Sequence, residues 1–409
     1  MRLYDTGSRS VRSVELGGSI SLYVCGITPY DAAHLGHAFT YHTFDVLTRR
    51  LRAAGQQVRS VRNVTDVDDD ILRVARERGI DYGALADAEV RRFDADLAAL
   101  NIAPVDAAPR ATAHVPEMVE WVARLVSDGV AYAEQGWVYF AVPSFAGYGR
   151  LSGLDRGAML ALSRDRGADP DDPRKRDPLD FVLWQASAPG EPAWPSPWGR
   201  GRPGWHIECS VLATGALGQP VDIHGGGDDL IYPHHESEIA QVEAGVNGRS
   251  PFVRHWAHVA MVGLDGVKMS KSLGNLVWVR DLVARAGAGP VRLMLAAHHY
   301  RTAWSYTAAE LGAAGERWEA LGRVGSGGAA VDPAAVAELE DRVLSCLDDD
   351  LDTPGALAAV DDFLSVAGRE ASRGEGPRVD AGGALDPVLG LLGCPPLGAP
   401  SSAPVLASN

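Results

Sequence analysis

Two imidazoles stand three residues apart in His34-Leu35-Gly36-His37, and two ammonium groups stand three residues apart in Lys268-Met269-Ser270-Lys271-Ser272. If the first string opens a helix, both rings lie on the first turn, where free N–H groups and the helix dipole favour an anion such as a phosphate chain. Gly36 would let a base or ribose come close to the backbone. Lysines on a Ser/Gly-containing loop can neutralise the pyrophosphate charge that grows when a carboxylate attacks the α-phosphate of ATP. The chain has only three lysines, Lys175, Lys268 and Lys271, so the pairing of two of them stands out from the background.

A second set of residues carries soft and borderline donors. Cys25, Cys209, His234 and Glu238 are of the types that hold a tetrahedral zinc ion. His234 and Glu238, four residues apart, share one face if Pro233 opens a helix. In His224-Gly225-Gly226-Gly227-Asp228-Asp229 the glycines would let a ligand lie against the backbone at the end of a strand. Taken singly, each group also has an inert reading, as capping histidines, solvated lysines, core cysteines or a flexible loop.

The elements that must position these residues follow from the hydrophobic pattern. Ser21–Cys25 reads as a strand, Phe39, Phe44, Val46, Leu47 and Leu51 recur at mostly helical spacing up to Gly55, and Val58–Val64 reads as the next strand. That is a βαβ unit, whose ligands sit beyond the strand carboxyl ends. Residues 70–130 read as largely helical, Trp137–Phe140 as a strand, and the Pro- and Arg-rich stretch Arg164–Pro203 as an irregular insertion. Val221–Ile223 resumes the sheet, and an Ala/Leu-rich helical region leads to a frayed end over Pro395–Asn409.

At 409 residues the chain exceeds a prior of roughly 100–200 residues per domain, so several units are expected. No apolar run approaches the roughly 18–20 residues that span a bilayer and no secretory leader is visible, so a cytoplasmic protein is expected. Four cysteines, Cys25, Cys209, Cys346 and Cys394, are too sparse for a disulfide scaffold, and the last two read as core fillers.

Together the HxGH and KMSKS strings resemble the class I aminoacyl-tRNA synthetases. Tyr23–Gly26, Arg62–Asp69, Lys175–Asp180, Gly201–Ser210, Asp222–Gly227 and Pro233–Glu238 narrow the resemblance, over about residues 1–310, to cysteinyl-tRNA synthetase. The cysteine ligase of mycothiol biosynthesis shares that catalytic domain. The wording of Gly26–His37, Met261–Gly266, Asn275–Val277 and Asp348–Pro354 is similar to it, whereas His224 and Glu238 follow the synthetase.

The resemblance implies an α/β fold: a Rossmann-like parallel sheet of the class I synthetase type, with an insertion and a C-terminal helical bundle. The expected units are 1–125 with HxGH, 126–200 as the insertion, 201–265 with zinc ligands, 266–320 with KMSKS and a stem-contact-like region, and 321–409 as a short acidic helical domain. It implies Zn²⁺ on Cys25, Cys209, His234 and Glu238, and ATP with Mg²⁺ as substrate. His34 and His37 would bind phosphates and Lys268 and Lys271 would stabilise the transition state. Thr28, Trp205, His206 and His224 would line the cysteine pocket, with Asp229 or Asp66 nearby, and Thr65 would contact substrate or ATP. Gly36, Gly225, Gly226, Gly227, Met269 and Ser270 would contact substrate or nucleotide.

Charge separates the possible acceptors. Residues 321–409 hold five arginines, no lysine and fourteen acidic residues, a net of −9 out of −15 for the chain. Phosphate contacts dominate nucleic-acid affinity, so such a tail is a poor anticodon reader. The expected partners are therefore L-cysteine, ATP and a small-molecule amine, with an amino sugar first. Transfer to tRNA by a shortened synthetase, or to the acceptor of another pathway, stays open.

Overall fold

The computed structural model describes residues 1–245, 248, 250–269, 274–326, 330–370 and 379–398, of which the side chains of 268, 326 and 370 are left undescribed. Ser270 and Lys271 lie outside the described residues, as does most of the end expected to fray.

Four parallel strands form the central sheet: β1 (Ser19–Ile27), β2 (Gln57–Val64), β3 (Val221–Gly227) and β4 (Val253–Val259), in the order β4-β3-β1-β2. Helix α1 (Leu35–Ala53) links β1 to β2. The chain returns much later to the other side of β1 through α2 (Trp205–Leu217), so strand order reverses between β1 and β3. A crevice opens beyond the carboxyl ends at such a switch point.

Local chemistry explains why α1 starts where it does. His34 is its N-cap and accepts from the Gly36 N–H at 3.1 Å, while His37 reaches back to the His34 N–H at 3.4 Å. Two of the free N–H groups at the helix start are thereby satisfied. Phe39, Phe44, Val46, Leu47 and Leu51 are buried, and Gly55 at φ +80° follows the last turn. The buried Arg292 guanidinium bonds Asp45 on α1 and the carbonyls of Leu100 and Asn101.

Between β2 and α2 the chain forms helices and a second sheet, antiparallel, of Ala131–Glu134, Trp137–Phe140, Phe181–Ala186 and Gly201–Pro203. The stretch Arg164–Pro203, expected to be irregular, thus contributes two strands. Its composition misled because aromatic packing and buried carboxylates hold it. Trp184 is fully buried, Arg174 and Arg176 lie over the rings of Trp137 and Tyr132, and Asp180 accepts from Tyr132 Oη and the Val142 N–H.

The C-terminal helices, Pro333–Asp348, Thr353–Glu370 and Ala381–Leu391, share one hydrophobic core with α1. Arg50 of α1 pairs with Asp348 at 2.6 Å, and Arg49 donates to the Gly390 carbonyl at 3.2 Å. Cys394 is buried in this region and Cys346 half-buried. No helix among the described residues is long and apolar enough to cross a membrane.

Candidate metal centre and nucleotide crevice

Cys25 lies near the end of β1, where the pairing with β2 is interrupted between Val24 and Ile27. Gly26 permits this, since a Cβ there would sit 1.6 Å from the Asn63 carbonyl oxygen. The Gly26 N–H donates to Asn63 Oδ1 at 2.7 Å, fixing the turn that carries Cys25. Cys209 comes from α2. His234 lies in the turn Ile231–His235, which leads into α3 (Glu236–Glu243), where Glu238 sits one turn later.

These four side chains meet, with donor atoms all within 4.8 Å of one another. Cys25 Sγ is 3.8 Å from Cys209 Sγ and 4.0 Å from Glu238 Oε1, and His234 Nε2 is 3.2 Å from Glu238 Oε1. Two thiolates each about 2.3 Å from one zinc ion, at the tetrahedral angle, would be about 3.8 Å apart; an imidazole and a carboxylate would be about 3.4 Å apart. The donor set and its spacing fit the ion.

Electrostatics agree. Burial pushes the Cys25 thiol and the Glu238 carboxyl well above their ordinary ranges and His234 well below its own. Left alone the cluster is a set of neutral groups, and a divalent cation reverses that preference by favouring thiolate and carboxylate.

His224 on β3 touches the same centre. Its Nε2 is 3.0 Å from Glu238 Oε2, its Nδ1 has no partner among the described residues, and burial lowers it to about 3. His206 Nδ1 lies 2.9 Å from His234 Nδ1, with burial lowering His206 to about 4. Trp205 stacks on His234 at 4.3 Å and is 39% exposed, so one face of this aromatic wall is open.

The remaining expected site residues divide. Thr65 is buried and accepts from Asn63 Nδ2, and Thr28 donates to Asp68 at 3.2 Å. The rings of His34 and His37 stack at 3.8 Å. A Cβ on Gly36 would meet His34 Cε1 at 2.9 Å, one on Gly225 would lie 2.0 Å from Phe44 Cζ, and one on Gly226 would lie 2.7 Å from Leu230 Cδ1. Gly225 is therefore required by packing against α1, a reason separate from ligand approach. Gly227 is similarly crowded by Asp229, and Asp229 lies 3.4 Å from Arg166 at the crevice edge. Asp66 is engaged by Thr112 through the N–H at 2.9 Å and the hydroxyl at 2.7 Å.

Val267–Lys268 pairs with Val262–Leu264, and Met269 is buried. Beyond it, the Val277 carbonyl accepts from Leu35 N–H at 2.8 Å and the Ala33 carbonyl accepts from Val279 N–H at 3.0 Å. The chain after KMSKS is thus stitched to the HxGH turn.

Three residues without an expected role belong to this centre. His235 Nε2 is 3.2 Å from Cys25 Sγ, its Nδ1 is 2.7 Å from His258 Nε2, and His258 is bonded in turn to Thr6. Glu208, beside Cys209, is buried, and burial raises its carboxyl well above the ordinary range, opposed in part by the Thr65 side chain. The sequence signals were adjacency to His234 and Cys209 and a histidine on β4.

A parallel sheet with HxGH at its first helix, the chain at Val277–Val279 pinned to the start of that helix and a donor cluster at the switch point define a class I synthetase catalytic domain. The family model of the class I (C) tRNA synthetase catalytic domain matches residues 12–316, and the chain belongs to that family. It is an ATP-dependent ligase by class.

Its relatives include two proteins named L-cysteine:1D-myo-inositol 2-amino-2-deoxy-alpha-D-glucopyranoside ligase. The one from Thermobifida fusca is 51% identical over 90% of this chain and 88% of its own length. The one from Parafrankia is 48% identical over 96% and 88%. Among solved structures, the methionyl-tRNA synthetase of Mycobacterium tuberculosis superposes with a TM-score of 0.63 at 17% identity, over 92% of this chain and 88% of that one. The LeuRS of Agrobacterium radiobacter gives 0.64 at 11%, over 92% and 83%. These two likenesses concern the fold alone.

Proposed function

We propose that this chain activates L-cysteine with ATP and joins it to the amine of glucosaminyl-inositol, the step that the relatives' name describes. The observation that carries the proposal is the meeting of Cys25, Cys209, His234 and Glu238 at the carboxyl end of β1, the strand that leads into the HxGH helix. Bound there, zinc supplies a soft Lewis-acid position that takes a substrate thiolate and refuses a serine hydroxyl.

The chain's own residues do the rest. His34 and His37 hold the ATP phosphates at the helix start, and Gly36 lets the nucleotide approach. The cysteine carboxylate attacks the α-phosphorus, the bond to the β,γ-phosphate breaks, and cysteinyl-adenylate and pyrophosphate result. Lys268 and Lys271 neutralise the charge that develops on pyrophosphate, and Met269 and Ser270 contact the nucleotide. Mg²⁺ accompanies ATP.

Thr28, Trp205, His206 and His224 enclose the amino acid, Thr65 contacts substrate or ATP, and Gly225–Gly227 with Asp229 border the pocket. In the second half-reaction the acceptor amine attacks the acyl carbon, AMP leaves, and a proton is lost from nitrogen as the amide forms. The reaction takes place in the cytoplasm.

A second reading, charging of cysteine tRNA, is favoured by Glu238 and His224, which follow the synthetase pattern. Against it, the acidic C-terminal helices are packed onto α1 through Arg50 and Asp348. The test is cysteine-dependent ATP–pyrophosphate exchange with cysteine and with serine: exchange with cysteine alone supports the activation step, and equal exchange with serine overturns it.

A further inference from the structure

His235, His258 and Thr6 form a buried line that ends on a proposed metal ligand. His235 Nε2 is 3.2 Å from Cys25 Sγ, His235 Nδ1 is 2.7 Å from His258 Nε2, and His258 Nδ1 is 2.8 Å from Thr6 Oγ1. His235 is fully buried and His258 6% exposed. Thr6 belongs to the N-terminal segment, where its N–H donates to the Trp256 carbonyl at 2.9 Å on β4.

Hydrogen-bond logic gives the line a direction. A metal-bound Cys25 sulfur is a thiolate and can only accept, so His235 must carry its proton on Nε2. A neutral ring then has Nδ1 as acceptor, so His258 donates from its own Nε2. His258 Nδ1 is left as acceptor, and the Thr6 hydroxyl donates to it. The same assignment gives each of the three contacts one donor and one acceptor.

His235 also belongs to a second donor set, Cys25, His224, His235 and Glu238. The first set uses both thiols and is complete without it, while His235 has its other nitrogen committed to His258. An outer position, fixing the ligand through an N–H···S bond, accounts for both contacts.

We propose that Thr6, His258 and His235 act as a one-directional relay of hydrogen bonds that positions the Cys25 sulfur and tunes its donor strength, coupling the metal centre to the N-terminal segment. The proposal rests on the reading of Cys25, Cys209, His234 and Glu238 as metal ligands. Partners of this kind are worth about 10–100-fold in metal affinity.

The experiment loads metal-free full-length protein with Zn²⁺, titrated against a chromophoric chelator, and with Co²⁺, read by its thiolate-to-metal absorption band. Thr6→Val should weaken Zn²⁺ binding by about 10-fold at unchanged stoichiometry and shift the Co²⁺ band. Thr6→Ser, which keeps the hydroxyl, should restore both. His235→Ala should still bind one ion per chain, more weakly. Wild-type affinity and band in Thr6→Val overturn the relay, as does complete loss of Co²⁺ in His235→Ala, which would make His235 a ligand. Failure of wild-type protein to bind either metal overturns the ligand reading as well.

Nitrogen-15 NMR of the histidine rings in wild-type zinc-loaded protein needs no variant. It should show His235 and His258 both as neutral Nε2–H tautomers, and an Nδ1–H tautomer in either ring overturns the proposal.

Discussion

Cys25 Sγ and Cys209 Sγ lie 3.8 Å apart although 184 residues separate them in the chain. One sits at a strand end held by Gly26, the other on a helix that follows the whole insertion. The spacing is too long for a disulfide, whose sulfurs lie about 2.05 Å apart, and matches two ligands of one zinc ion.

Replacing Cys209 by Ser should therefore cost the protein its zinc. Bound metal by mass spectrometry or chelator release should fall by at least 100-fold in affinity, beyond the roughly 10–100-fold expected from an outer partner. Cysteine-dependent pyrophosphate exchange should fall with it. Full exchange by zinc-free Cys209→Ser protein would refute the metal's part.

Gly225→Ala should destabilise the fold by about 1–3 kcal/mol, because the added methyl overlaps the Phe44 ring at the heart of the sheet–helix packing. Phe44→Leu in the same chain should recover part of the loss. Denaturant midpoints check both, and an unchanged midpoint in Gly225→Ala would contradict the packing role.

Arg292→Ala removes the buried donor to the Leu100 carbonyl and one of the donors to Asp45 and to the Asn101 carbonyl, which Arg49 also contacts. A loss of about 1–3 kcal/mol is expected, measured by urea unfolding. Arg292→Lys should recover little of it, since an ammonium cannot reproduce the planar fork.

Asp5 supplies a pH-dependent term. Burial alone would raise its carboxyl, but the N–H groups of Trp256 and Ser8 and the Ser8 side chain, with His255 nearby, hold it below the ordinary value. A depressed folded pKa stabilises above the unfolded value and is lost as pH falls through the folded one. Asp5→Asn should thus be less stable than wild type at neutral pH. The difference should shrink below about pH 4, and a constant gap down to pH 2 would contradict it.

The βαβ unit was legible because α1 has a clear apolar stripe and a capping string, and β1 and β2 are short β-prone runs. The donor types were legible too, but their meeting was not: Cys25 and Cys209 are joined only by the crossing of β3 onto β1. The family resemblance supplied that step. The Pro-rich strands of the insertion were missed because pairing and cation–π contacts over Trp137 and Tyr132 outweigh local turn signals. His258 and Thr6 were missed because a hydrogen-bond line between distant strands has no local spacing.

Zinc-loaded protein incubated with L-cysteine, Mg²⁺ and ATP should be offered glucosaminyl-inositol and cysteine tRNA in parallel, with products read by mass spectrometry. The expected product is the cysteinyl amide of the amino sugar, with one AMP released per amide and no charged tRNA. Efficient charging of the tRNA with no amide would contradict it.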